Sequence, residues 1–154
     1  MKIDIDERAE RAREYFRSGY NCAQSVVMAY CDVFELDPTL TAKLTSAFGG
    51  GMGRMREVCG TVSGMALLAG MISPADNPAD MEARKRNYAL IQEFAGEFRL
   101  KNGSIVCREL LGLGRTKESP MPSARTPEYY RKRPCTEYIA DAAKIVGAYL
   151  DKQE

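Results

Sequence analysis

The stretch "NPADMEARKRNYALIQEFAGEFRLKNG", residues 77–103, carries the clearest backbone signal in the chain. Asn77 caps it, and Pro78 opens it, because a missing N–H costs nothing in a first helical turn. Asn102-Gly103 supplies the stop. Between them Met81, Tyr88, Ile91, Ala95 and Phe98 recur with helical period and form one apolar stripe. Such a stripe must be covered by another element, and no segment of the chain shows convincing strand alternation. The partners must be helices.

The same periodicity extends in both directions. In "IDIDERAERAREYF" (3–16), Ile5, Ala9, Ala12 and Phe16 share a face, and Asp4–Arg8 and Glu7–Arg11 are spaced as i,i+4 pairs. "NCAQSVVMAYCDVFEL" (21–36) opens with Asn21 three residues before Gln24, the spacing of a capping box. "DPTLTAKLTSAF" (37–48) gives a short helix with Pro38 at its start, stopped by glycines. The most apolar run, "VCGTVSGMALLAGMI" (58–72), is too short to span a bilayer and reads as a buried helix near 56–72. Ser104 caps "IVCRELLG" (105–112), and a last helix runs from Pro134 through Tyr138, Ile139, Ala142, Ile145, Val146 and Tyr149. Residues 113–134 hold four prolines among polar residues and read as an extended loop. The expected fold is all-α: one compact bundle of five to seven helices, a single domain over 1–154.

Composition narrows the function. The 22 basic and 21 acidic residues nearly cancel, so no global field recruits nucleic acid or a membrane surface. The basic "YYRKRP" (129–134) is one loop, too little for a nucleic-acid interface. The charged N-terminus has no apolar core of the signal-peptide kind, so the expected location is the cytoplasm, without stable membrane insertion. Thiols there stay reduced unless they do redox or metal work. The chain has no histidine, which excludes Ser-His and Cys-His catalysis and His-ligated zinc or haem. The glycine-rich "FGGGMGRMREVCGTVSG" (48–64) is no phosphate loop: position 56 is Arg where G-x-G-x-x-G needs glycine, and no Gly-Lys pair occurs. No nucleotide is expected.

The cysteines are the remaining chemistry. Cys22 directly follows the Asn21 cap, Cys107 lies three residues after Ser104, Cys135 follows Pro134, and Cys59 comes soon after the glycine run. Helix starts carry unpaired N–H groups that favour thiolate over thiol, and Arg131, Lys132 and Arg133 push Cys135 the same way. Cys31 lies nine residues after Cys22 on the same expected helix, on about the opposite face, and reads as a packing residue. Free cysteine is often simply buried, so packing is the competing account of each of the others. No C-x-x-C pair occurs. A common site must be assembled from positions 22, 59, 107 and 135 in the folded chain.

With these residues on the page, the sequence resembles the C_GCAxxG_C_C family of redox-active proteins, marked by four cysteines and a C-G-A-x-x-G motif. "NCAQSVV" carries Cys22, "CGTVSG" carries Cys59, Gly60 and Gly64 with Thr61 in place of alanine, "SIVCRELLG" carries Cys107, and "PCTEYIADAAKIV" carries Cys135. The family is similar to the iron–sulfur part of split-Soret cytochromes. Their haem motif, C-x-x-C-H, is absent here, so haem does not carry over. The resemblance implies that the four cysteines are redox-active thiols or cofactor and metal ligands. They would hold a [2Fe–2S]-type cluster for electron transfer, or form reversible disulfides with three possible pairings. The alternative is a non-catalytic helical binding module, transporter-associated, with structural cysteines. The redox reading carries with it a redox partner of unknown identity, and a homodimer is the oligomer it allows. Gly60 and Gly64, one turn apart, would admit another backbone and bring Cys59 to the other sulfurs, while Gly49–Gly53 supply unusual backbone angles.

Overall fold

The computed structural model describes residues 2–153. Among them nine α-helical segments follow in order: α1 Ile5–Arg17, α2 Cys22–Met28, α3 Pro38–Leu44, α4 Gly49–Met52, α5 Gly60–Ile72, α6 Met81–Asn102, α7 Cys107–Leu110, α8 Pro127–Lys132 and α9 Cys135–Lys152. A 3-10 turn, Ser46–Phe48, precedes α4. The described residues contain no strand, only one isolated antiparallel bridge between Val58 and Val106. The all-α expectation holds, and the excess over seven helices comes from short segments such as the four-residue α4 and α7.

Local chemistry sets the boundaries. Asp4 accepts from the Glu7 N–H at the start of α1, and Asn21 and Gln24 complete both halves of the capping box on α2. Asp37 caps α3 ahead of Pro38, and Gly103 ends α6 in the left-handed conformation. Four expectations need correction. The N-cap of α7 is Val106, with no side-chain cap bond; Ser104 instead accepts from the Val106 N–H through its hydroxyl. The cap of α6 is Asp80, which accepts from Ala83; Asn77 instead accepts from Ala79 in the preceding turn. α2 ends at Met28, so Cys31 lies in the turns beyond it. The segment 113–134 contains a helix, α8, where Thr126 accepts from the Tyr129 N–H and Pro127 takes the first position.

The core sits where α1 lies along α9, and where α2 packs on α5, which in turn contacts α6 and α9. Phe16, Val26, Met65, Leu68, Phe94, Phe98, Ile139 and Val146 are its buried side chains. Each large one contributes roughly 1.5–3 kcal/mol by leaving water. On α6 the buried stripe is Ala83, Leu90, Phe94 and Phe98; Met81 and Tyr88, assigned to it above, are exposed. α5 is buried on one face only, with Leu67 and Met71 outward. The Tyr30 hydroxyl donates to the Ala143 carbonyl at 2.6 Å and ties the turn after α2 to α9. Arg8 does not pair with Asp4: its guanidinium donates to both carboxylate oxygens of Asp32, at 2.6 and 2.9 Å. No helix among the described residues is long and apolar enough to cross a membrane.

Candidate functional site

Two segments distant in sequence are laddered together. The Cys59 N–H donates to the Ile105 carbonyl at 2.8 Å, the Cys107 N–H to Glu57 at 2.6 Å and the Arg108 N–H to Arg56 at 3.1 Å. This short antiparallel pairing sets the start of α5 beside the start of α7. Cys59 is the N-cap of α5, and Cys107 is the first residue of α7. α2 reaches the same place because α5 is glycine where they cross. A Cβ on Gly60 would lie 2.3 Å from Cys22 Sγ, and one on Gly64 would lie 3.0 Å from Val26 Cβ. Cys135 begins α9 after Pro134.

The glycine run builds the facing wall in an uncommon way. Gly50, Gly51, Met52, Gly53 and Arg54 all have positive φ, between 57° and 67°. α4 is therefore centred on a left-handed turn, closed by N–H donation from Gly53 to Gly49, and bonded to the chain beyond it from Arg56 to Gly50. Glycine removes the strain at three of the five positions, leaving roughly 1–2 kcal/mol at each of Met52 and Arg54. Gly51 has a second reason to be glycine: a Cβ there would lie 2.7 Å from Cys107 Cβ. The turn aims the Gly50 N–H at the Cys22 sulfur.

Cys22, Cys59, Cys107 and Cys135 all line one cavity of about 70 Å³, together with Arg56, Arg125, Tyr129 and Tyr138. Cys31 does not line it; it is buried elsewhere, against Thr41. All five cysteines are unpaired. Among the described residues no three metal-ligating side chains group closely enough to hold a metal ion.

Burial dominates the electrostatics. It pushes the Cys22 thiol up despite the Gly50 N–H, pushes Cys59 up strongly despite the Thr61 hydroxyl 3.1 Å from its sulfur, and pushes Cys135 up to about 12. The neighbouring sulfurs Cys22 and Cys107 add to the rise at Cys135, and Arg133 and Arg56 only moderate it. The expectation that helix starts and basic neighbours leave these thiols ionised is therefore corrected for these three: desolvation outweighs the local dipole.

Sequence reasoning missed the charged partners. Arg56, 3% exposed, donates from Nη1 to Cys107 Sγ at 3.6 Å and from Nε and Nη2 to the Glu118 carboxylate at 2.6 and 3.0 Å. Arg54 adds a bond to the same carboxylate at 3.1 Å. Arg125 stacks 4.0 Å from the Phe16 ring centroid and donates to the carbonyls of Phe16 and Tyr20. The stretch before α8 is thus tied down beside the cavity at two points. The one available signal was Arg56 itself, the residue that broke the dinucleotide pattern.

Fold and site together define an all-α protein in which four cysteines, each at a helix start, face one buried cavity. The chain belongs to the C_GCAxxG_C_C family, described as "Putative redox-active protein (C_GCAxxG_C_C)", with the match running over residues 20–149. That span includes all four cavity cysteines. No curated protein and no solved structure matches the chain.

Proposed function

We propose that Cys22, Cys59, Cys107 and Cys135 hold a [2Fe–2S]-type cluster and that the protein passes electrons to and from a redox partner. The observation that carries this is the convergence of four thiols from four helix starts on one cavity. The donor set fits, because such a cluster takes four thiolates shared between two irons. It does not require three ligands around one atom, an arrangement absent among the described residues. Burial argues in the same direction: enclosed thiols with raised pKa are poor nucleophiles for disulfide exchange, whereas coordination removes the proton outright. The cluster, when bound, supplies the one-electron chemistry. The chain supplies N–H and guanidinium donors toward the sulfurs, from Gly50 and Arg56, and a wall of Phe16, Leu110, Tyr129 and Tyr138 against water.

The test is anaerobic purification with iron and acid-labile sulfide assays. Coloured protein is expected, with iron lost in each of C22A, C59A, C107A and C135A. Iron-free protein that cycles between thiols and disulfides would overturn the cluster and keep the redox role. Protein with neither property would return the cysteines to a structural role in a binding module.

A further inference from the structure

We infer that Arg56, oriented by Glu118, is a positioning residue that sets the charge at Cys107 and thereby the reduction potential of the four-cysteine centre; this rests on the redox reading above. The placement of Arg56 is the first observation. A guanidinium 3% exposed is costly to bury, and here one carboxylate, Glu118, answers it. Glu118 occupies Nε and Nη2, which leaves Nη1 facing Cys107 Sγ at 3.6 Å. A neutral thiol is a weak acceptor for such a donor, and a sulfur carrying negative charge is a strong one.

The second observation is that the contact is held from both sides. The backbones of the two residues belong to one ladder: the Arg108 N–H donates to Arg56 O at 3.1 Å, and the Cys107 N–H to Glu57 O at 2.6 Å. Arg56 also has φ 61°, a conformation that non-glycine residues hold only when their surroundings enforce it. The side chain enters the cavity from a strained backbone, immediately after a left-handed turn, and ends on a sulfur. Ordinary core packing explains none of these three features.

The consequence follows from charge alone. Reduction adds negative charge to the sulfurs when an electron enters a cluster; a disulfide that takes two electrons gains the same charge on any sulfur that does not also take up a proton. A fixed cation beside Cys107 stabilises the reduced form wherever that charge stays. Removing it makes the centre harder to reduce.

The experiment is a redox titration of the full chain as wild type, R56Q, R56K and R13Q, with circular dichroism confirming the fold of each. R56Q is expected to lower the reduced-to-oxidised ratio about tenfold, a shift of about 59 mV to more negative potential for a one-electron couple or about 30 mV for two electrons. R56K, which keeps the charge and loses the fork, is expected to recover part of the shift. Arg13 pairs with Glu10 on α1 and does not line the cavity, so R13Q is expected to stay at the wild-type potential. A reversible couple in the wild type with R56Q unmoved, or with R13Q shifted as far, overturns the role of Arg56 and leaves the redox function intact. Absence of any couple in the wild type overturns the redox function itself. Should R56Q not fold, R56M, which also removes the charge and keeps an unbranched side chain for the buried position, carries the test, and an R56M potential equal to wild type overturns the proposal.

Discussion

Substituting Gly60 by alanine tests how the cavity is built. The added methyl would lie 2.3 Å from Cys22 Sγ, 2.8 Å from the Phe48 carbonyl oxygen and 3.3 Å from the Ala23 nitrogen. Ordinary contact distances are about 3.5–4.0 Å, so α5 must retreat from α2 by more than 1 Å or the site must distort. Two of the three obstacles are backbone atoms that no rotamer change can move. Overpacking of this kind costs about 1–3 kcal/mol, and occasionally more. The same change at Gly70, ten residues along α5, meets nothing within 4 Å. There alanine brings only its helix propensity, worth about 0.5–1 kcal/mol of added stability. One substitution in one helix should therefore change sign, G60A destabilised and G70A stabilised, a separation of about 1.5–4 kcal/mol. Equilibrium urea unfolding measures it, with equal slopes confirming that stability alone has changed. A G60A protein as stable as wild type would refute the close approach of α2 and α5 at Cys22.

Other outcomes follow from the same geometry. C31A should leave iron content and redox behaviour unchanged, as measured by the assays above, because Cys31 lies outside the cavity. Y30F removes the bond to the Ala143 carbonyl and should cost about 1 kcal/mol in urea unfolding. Asp32 titrates below its ordinary 3.8 because Arg8 hydrogen-bonds it, so its contribution is present above that value and lost as pH falls through the lower folded value. The loss of stability below pH 3.8 should therefore be shallower in D32N, by a small amount, since the Asp32 side chain is 52% exposed.

Sequence was informative where the physics is local. The Asn21–Gln24 box, the Asp37-Pro38 start and the Gly103 stop are decided within four residues, and all three are found in place. The apolar stripe of α6 was misjudged because periodicity shows a helix without showing its orientation: Leu90 and Phe94 face the core while Tyr88 turns outward. α8 was hidden by composition, since prolines at 120, 122, 127 and 134 suggested a loop, although Thr126-Pro127 is a legitimate helix start. The unusual angles at Gly50, Gly51 and Gly53 were legible from the glycine run, but their continuation through Met52 and Arg54 was not, because those residues disfavour positive φ. The helix-start positions of Cys22 and Cys135 were legible from the Asn21 cap and Pro134; Cys107 also starts a helix, but behind Val106 and not behind a Ser104 cap. Their ionisation was not, because burial is a property of the whole fold. The Arg56–Glu118 pair spans 62 positions, beyond any local pattern.

The cavity also fixes an order of events during synthesis. One wall is α2, near the beginning of the described chain, two more are the paired starts of α5 and α7, and Cys135 arrives only with α9. A ribosome delivers these pieces in that sequence, so no nascent fragment ending before α9 holds all four sulfurs. α9 also forms the main bed for α1, so the helix that completes the sulfur set is the one that immobilises α1. Completion of the chemical site and completion of the tertiary fold are thus a single late step. A chain interrupted anywhere upstream yields an incomplete sulfur set and an unpacked core together.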